Sequence, residues 1–509
     1  MGQTTIILMI ITVLSKILGF ARESVMAAFI GAGDLKSIYT TAMTIPLLMT
    51  GIVITGLKSA YIPVYNKVKN EDGEDKANIF TSNLINILLL YGIVASFLII
   101  IFARQLSVLF SPDLSGQSLD LATSFTRILA FTILGILVSS VIGGYLNIKG
   151  NFIDPAIVGF IYNIIIISSV ILASKFNNPY YLIYGTFIAM LAQFIRFPFA
   201  SKKKGFKYKK VLDIKDPNIR YLLTIVIPIM ISSAANQVSL IFDNSMASAM
   251  FGISSVSKIF YAKTMLNFIT GVVTMSVATA SFPEIAKLGQ EGQIEKMKGS
   301  VIQTLIFSMI LVIPLTFGMM AFSNPIIKLA FERNAFTSND TYVVASLLIS
   351  YAPSIIFEAF NRILTNSFYS VGDSKTPVAI VVIQQAINIG LNFILAKLFG
   401  LYGLAYATSI SSMIATVLMT IAFVKKFGGF SFKENIKSVI KILSASILMV
   451  ILARLIYTRL GLYLGDTLDL ALSVAFGGLI YFVGVSLLKI PEFDNIKEAI
   501  MSKIKAKRK

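Results

Sequence analysis

Long apolar runs constrain this chain more than any other feature. The first extends roughly from Thr5 to Ile30, and hydropathy indicates about thirteen more of comparable length. A helix that crosses a bilayer needs ~20 mostly apolar residues. Only 14% of the residues are charged, against ~25% in soluble domains. We therefore predict an all-α polytopic membrane protein with about fourteen transmembrane helices.

The composition also narrows the chemistry. The chain has no cysteine and no histidine, so it lacks disulfides, thiolate metal sites and the usual general base near neutral pH. The first run is too long, and lacks the basic start, for a cleavable signal. No GxxxxGK[ST] phosphate-binding loop is visible. We expect a transporter without an organic cofactor, driven by an ion gradient or by the membrane potential, rather than an enzyme.

Lysines concentrate in alternate loops, which is the positive-inside pattern. This pattern accounts for the net charge of +19 without nucleic acid and predicts a bacterial cytoplasmic membrane protein with both termini cytoplasmic. The lysine run at 202–215 is interpreted as a solvated loop at the anionic leaflet, with a specific lipid or nucleic-acid site as the alternative. The loops on the other side hold only scattered cations, such as Lys36, Lys175 and Arg333.

The chain repeats itself with an offset of about 220 residues, as six spans of one orientation would. Residues 151–158 resemble 373–381, and Gly31 takes the same relative place as Gly252. Two parallel six-helix lobes plus two extra C-terminal helices are predicted. The predicted parts are the N-lobe (1–200), a basic cytoplasmic linker (201–219), the C-lobe (220–425), spans thirteen and fourteen (438–488) and a basic cytoplasmic tail (489–509).

Charged residues inside the first run point to function. A charge near the bilayer centre costs ~3 kcal/mol, so we expect Lys16 and Arg22 to face a watery cavity and meet an anionic substrate. A bend at Gly19 would let both line one cavity. The alternative is that Arg22 pairs with Glu23 or with a neighbouring helix. In the repeat, Arg22 falls on Asp243.

Three further lysines are candidates for contact with the substrate. Lys263 lies well inside span eight, where pairing with Glu23 is the alternative. Lys58 and Lys258 lie nearer the ends of their spans and could instead reach the headgroups. Glu358 and Arg362 are four residues apart, as in an intrahelical ion pair. The Gly31-Ala32-Gly33 segment is predicted to be a short exposed turn.

The first span resembles the MurJ (MviN) family of lipid II flippases, in the multidrug/oligosaccharidyl-lipid/polysaccharide exporter superfamily. The matching residues are Ser15, Lys16, Leu18, Gly19, Arg22, Glu23 and Gly31-Ala32-Gly33, with Pro46, Gly56, Pro63 and Lys375-Thr376-Pro377 farther on. The resemblance implies movement of an undecaprenyl-diphosphate-linked peptidoglycan precursor from the inner to the outer leaflet by alternating access. It also implies a cationic cavity lined by spans 1, 2, 7 and 8, and a groove for the lipid tail on the last two spans.

The resemblance further implies residue roles. Lys16, Arg22, Lys263, Lys58 and Lys258 would bind the diphosphate, and Glu23 with Gly19 would serve gating or coupling. A sodium ion would be held by Asp243, Asn388, Asn392, Thr408 and the Leu404 carbonyl; a polar packing network is the alternative. The family often has arginine where Lys16, Thr50 and Thr264 stand, and aspartate at Ser37. Lysine lacks the bidentate fork of arginine.

Two other functions compete with this interpretation. One is an exporter of drugs, organic cations or other lipid-linked oligosaccharides from the same superfamily, although acids would then be expected in the first lobe. The other is a membrane glycosyltransferase or polymerase, which would need acids in a large outer loop. The expected partners are lipid II or a similar polyprenyl-diphosphate glycolipid and membrane lipids, with no nucleic acid, and the protein is expected to be a monomer.

Overall fold

The computed structural model describes residues 2–429, 432–460, 465–488 and 493, so almost all of the predicted basic tail lies outside the described residues. Within these ranges the chain forms helices and no strand. The helices are α1 (Gly2–Ile30), α2 (Asp34–Asp72), α3 (Glu74–Ile101), α4 (Ala103–Phe110), α5 (Gly116–Ala130), α6 (Thr132–Ile148), α7 (Ile153–Lys175), α8 (Tyr180–Ala192), α9 (Arg196–Lys203), α10 (Pro217–Phe251), α11 (Ser254–Gln290), α12 (Ile294–Ala321), α13 (Ser323–Phe331), α14 (Ser338–Tyr351), α15 (Pro353–Ser370), α16 (Lys375–Phe399), α17 (Leu401–Phe427), α18 (Phe432–Leu460) and α19 (Asp466–Leu487).

The predicted fold class is confirmed. In the described part of the chain, 12 helical segments are long and apolar enough to cross a membrane. Three of these are interrupted helices: α5 with α6, α8 with α9, and α14 with α15. Helices α1 and α11 coincide with the predicted spans one and eight but are not among the 12. The total of about fourteen spans therefore stays a prediction.

The helix order carries the repeat that the sequence indicates. From α2 to α8, each helix start is followed 220 to 222 residues later by the start of α11 to α17. The turns that follow α1 and α10 are alike, since Gly31 has φ +77° and Gly252 has φ +83°. Positive φ favours glycine because a Cβ atom would clash with the backbone. A glycine with positive φ therefore follows the equivalent helix in both copies.

An ion pair between the fifth and last spans also occurs in each copy, although at different positions. Arg196 at the start of α9 pairs with Asp154 at the start of α7. Lys426 in the last turn of α17 pairs with Asp373, just before α16. Burial raises the pKa of Asp373, but hydrogen bonds from Lys426 and Thr376 outweigh this and lower it to about 2. Each pair links the beginning of the fifth span of its copy, α7 or α16, to its last span.

The chain divides into two compact units. The first unit contains residues 1–260 and 331–337, and the second contains residues 261–330 and 338–509. The core of the first unit is built largely from α2, α3, α6 and α10 around Tyr65 and Tyr145, both nearly fully buried. The predicted lobe boundaries at 200 and 220 stay predictions.

Close helix packing fixes the geometry of the first unit. A Cβ atom at Gly56 of α2 would lie 2.6 Å from Val226 Cγ1 of α10, so this approach requires glycine. At Gly159 of α7, a Cβ atom would lie 3.4 Å from Ser15 Oγ of α1. Helix α1 therefore packs on α7, and α2 packs on α10.

In the second unit, α18 and α19 pack together beside α12. The Tyr481 hydroxyl of α19 donates a hydrogen bond to the Ile310 carbonyl of α12 at 2.6 Å. Many apolar side chains of this helix pair are exposed, Leu455 and Leu479 among them. An exposed apolar surface of this kind is expected where lipid replaces water as the solvent. A groove for a lipid tail at this place stays a prediction.

Candidate functional site

A buried carboxylate pairs with two cations near the C-terminal part of α1. Glu23 is 4% exposed, and both of its carboxylate oxygens are occupied. Its Oε1 accepts hydrogen bonds from Arg22 Nε at 3.0 Å and Nη2 at 2.6 Å. Its Oε2 accepts from Lys36 Nζ at 3.0 Å. Two cations thus share one anion, and with all three groups ionised the triad carries a net charge of +1.

Arg22 is fixed in place from a second helix as well. Its Nη1 donates to Asn163 Oδ1 at 3.1 Å, and its guanidinium lies 5.2 Å from the centre of the Tyr162 ring. The structure therefore shows the alternative, in which Arg22 pairs with Glu23 and with a neighbouring helix. The Arg22 side chain nevertheless stays 21% exposed. Its three hydrogen bonds use three of the five guanidinium N–H groups.

Lys36 was expected among the scattered loop cations, and that expectation is wrong. It lies in the first turns of α2 and is fully buried. Its Nζ lies 4.2 Å from the centre of the Phe260 ring and 5.4 Å from that of Tyr39. Aromatic faces attract an ammonium group through their quadrupoles, and Glu23 supplies the opposite charge. Sequence reasoning missed this residue because its position after the turn resembles a loop.

The Gly31-Ala32-Gly33 turn is also not the exposed turn that was expected. Gly31 and Ala32 are buried, and only Gly33 is exposed. The Ser257 hydroxyl donates to the Ala32 carbonyl at 2.5 Å, and Ala335 N donates to the Ala28 carbonyl at 3.1 Å. Segments distant in the sequence cover the turn, which the local glycine pattern cannot reveal.

The other predicted cations lie in both units. In the first unit, Lys16 and Lys58 are exposed, and Lys258 is half-buried. In the second unit, Lys263 is half-buried, with Nζ 5.3 Å from the centre of the Tyr351 ring. Helix α1 continues unbroken through Gly19. Their contact with a substrate stays a prediction.

At two positions where the resemblance implies arginine, this chain has uncharged threonines. Thr50 is buried, and its hydroxyl donates to the Pro46 carbonyl of its own helix at 3.0 Å. Thr264 is half-buried in α11. At Ser37, where the family often has aspartate, the hydroxyl accepts a hydrogen bond from Ser257 N at 3.0 Å. The charged group beside this position is Lys36.

The predicted sodium ligands fall into two groups. In the second unit, Asn388 Nδ2 donates to Thr408 Oγ1 at 3.4 Å, and Thr408 Oγ1 donates to the Leu404 carbonyl at 3.2 Å. Asn392 is fully buried on the same helix as Asn388. The carboxylate, Asp243, is buried in the first unit. The α16–α17 contacts suit either an oxygen cage or polar packing, so both interpretations stay open.

Glu358 and Arg362 are both exposed on α15. The intrahelical ion pair stays a prediction.

The repeated helical fold and the buried charged site define a multi-pass membrane transporter. A model of the family described as "Lipid II flippase MurJ" matches residues 26–474. The chain therefore belongs to the MurJ family of lipid II flippases, and the expected resemblance is confirmed.

Similar proteins agree with this assignment along nearly the whole chain. The chain is 26% identical to a probable lipid II flippase MurJ of Rickettsia prowazekii over 508 residues, covering 97% of this chain and 99% of the relative. A Vibrio cholerae relative with the same description is 26% identical, covering 82% of each chain. A solved structure of lipid II flippase MurJ in an inward closed conformation matches with a TM-score of 0.81 at 24% identity, covering 95% of this chain and 98% of that one. An inward-facing MATE transporter of the MOP superfamily matches with a TM-score of 0.67 at 15% identity, covering 82% and 96%.

Proposed function

We propose that this protein moves lipid II, or a closely similar polyprenyl-diphosphate glycolipid, from the inner to the outer leaflet of the bacterial cytoplasmic membrane. Family membership supports this substrate class. The proposal includes alternating access, cytoplasmic termini and action as a monomer. No bond is made or broken in the substrate, so the protein needs only to bind the headgroup and release it.

The arrangement around Arg22 is the observation that carries the proposal. A diphosphate needs charge-assisted donors, and guanidinium is the side chain that best matches two phosphate oxygens at once. Glu23 and Asn163 hold the Arg22 guanidinium in one orientation, while 21% of the side chain remains exposed. A preoriented donor loses less side-chain freedom on binding. Lys16 and Lys58, exposed in the same unit, add positive charge.

The net charge of the triad explains why one buried carboxylate is compatible with an anionic substrate. Glu23 neutralises one cation and leaves one in excess. The membrane potential adds a driving force, because one charge that crosses 100 mV changes the free energy by ~2.3 kcal/mol. An anion that moves outward across an inside-negative membrane gains this energy.

Sodium coupling is part of the proposal. Asn388, Thr408 and the Leu404 carbonyl are oxygen-bearing groups already in contact on α16 and α17. Exchange of sodium for potassium is expected to lower the melting temperature of the purified protein, and Asn388→Ala is expected to abolish that difference. Equal melting in both salts would leave polar packing as the role of these residues.

Depletion of the protein in its host tests the function directly. Lipid-linked peptidoglycan precursor is expected to accumulate on the inner leaflet, and Arg22→Ala is expected not to rescue growth although the protein is present in the membrane. Lys175→Ala, at an exposed helix end, is the matched control and is expected to rescue fully. Rescue by Arg22→Ala, or tight binding of an organic cation instead of a polyprenyl diphosphate, would refute the proposal.

A further inference from the structure

The basic segment between α9 and α10 is exposed, but hydrogen bonds hold it in place. Its backbone lies along α3, where a row of polar side chains forms hydrogen bonds with it. The Asn83 side chain donates to the Asp213 carbonyl and accepts from Asp213 N, both at 2.8 Å. Asn86 Nδ2 donates to the Val211 carbonyl at 2.8 Å, and Lys209 N donates to Ser82 Oγ at 3.1 Å. The main chain is thus fixed while its lysine side chains remain exposed.

Beneath the start of this segment lies a cavity of about 640 Å³. Its walls are mostly apolar, with Ile85 of α3, Val138 and Ile142 of α6, Pro198 of α9 and Phe206 of the segment itself. This volume lies within the ~300–1,000 Å³ typical of ligand sites, which are mostly apolar with a few polar groups. The cavity is therefore suited to a hydrocarbon chain rather than to a polar solute.

Cations stand beside the cavity. Lys202 and Lys207 belong to its lining, and both are exposed. The segment 202–215 contains seven lysines and one aspartate, so the charge is complementary to an anion. It also exposes Tyr208, Leu212 and Ile214, each by more than half. Lysines interleaved with exposed apolar side chains are typical of a surface at the boundary between headgroups and acyl chains.

We propose that this cavity binds an anionic glycerophospholipid, with one acyl chain between α3, α6 and α9 and the phosphate paired with Lys202 and Lys207. The site belongs to the first unit and is separate from the Arg22–Glu23–Lys36 triad. Its occupant is a resident lipid of the membrane, distinct from the transported substrate. The bound lipid fastens α9 and the following segment to α3 and α6.

Native mass spectrometry of the purified full chain tests this site with phosphatidylglycerol and phosphatidylcholine of identical acyl chains. Phosphatidylglycerol is expected to be retained more tightly, and Lys202→Gln with Lys207→Gln is expected to weaken its retention about tenfold. The matched control, Lys209→Gln with Lys210→Gln, removes two charges from the same segment away from the cavity lining. It is expected to weaken retention less than twofold.

A second variant separates the cavity from general surface charge. Ile142→Phe partly fills the cavity without changing charge and is expected to reduce phosphatidylglycerol retention, with melting showing that the protein remains folded. Equal loss in both lysine pairs, equal retention of the two lipids, or no effect of Ile142→Phe would overturn the proposal. Complete displacement of phosphatidylglycerol by inorganic phosphate alone would indicate a simple anion site. Displacement of phosphatidylglycerol by a polyprenyl diphosphate would assign the cavity to the transported lipid. Either result would also overturn the proposal.

Discussion

Replacement of Lys36 by methionine is expected to destabilise the first unit by about 3 kcal/mol. Lys36 is fully buried, with Nζ 3.0 Å from Glu23 Oε2. Removal of one partner from a buried ion pair costs about 3–5 kcal/mol because the other charge is left uncompensated. The lower end applies because Arg22 still pairs with Glu23 Oε1. At about 2 °C per kcal/mol, the melting temperature in detergent should fall by roughly 6 °C.

The Lys36→Met variant also changes the net charge of the triad, so it tests substrate binding as well as stability. The triad has a net charge of +1, which becomes zero in Lys36→Met and about +2 in Glu23→Gln. The double variant returns to +1. One unit charge at about 8 Å from a phosphate is worth about 2 kcal/mol at an effective dielectric constant of about 20. Polyprenyl diphosphate binding should therefore weaken by up to about thirtyfold in Lys36→Met, and the double variant should recover most of it.

Calorimetric binding and thermal melting of the four proteins together check this reasoning as a double-mutant cycle. The double variant is expected to be more stable than Lys36→Met, because a neutral amide at position 23 no longer needs the buried cation. Methionine at 36 with unchanged melting would show that Lys36 and Glu23 are not coupled. Unchanged binding across all four charge states would show that the triad does not act on the headgroup.

Three other changes probe separate parts of the molecule. Arg22→Lys should weaken headgroup binding about tenfold, because lysine keeps the charge but not the fork; equal binding by the two would contradict a bidentate role. Gly56→Ala should cost about 1–3 kcal/mol, since its Cβ would lie 2.6 Å from Val226 Cγ1. Gly33→Ala, with nothing within 4 Å, is the control, and similar melting of the two would refute the packing argument. Asp373 stabilises the fold above its ordinary pKa and loses this effect as the pH falls from about 4 towards its folded pKa of about 2. Asp373→Asn should therefore lower the melting temperature at pH 6, by the equivalent of about 1 kcal/mol, but not near pH 2, and an equal loss at both pH values would argue against the ion pair.

Local features of the sequence were sufficient for the class of fold and for part of the site. Helix length and apolarity depend on consecutive residues, so the hydropathy pattern indicated a polytopic helical protein. The repeat was visible in the sequence because Gly31 and Gly252 take the same relative place in each copy. The structure gives the reason, since both glycines have positive φ. Arg22 was identifiable because a cation inside an apolar helix is costly and therefore needs a partner or a function.

Tertiary structure decided which charges meet. Lys36 is 13 residues from Glu23, and Asn163 is 141 residues from Arg22, so neither contact follows from helical periodicity. Likewise, the segment 202–215 is basic and looks solvated, yet Asn83 and Asn86 of α3 hold its backbone. The polarity of a side chain determines whether it is stable in lipid or in water. Ion-pair and hydrogen-bond partners are decided by which helices pack together, and that depends on the whole chain.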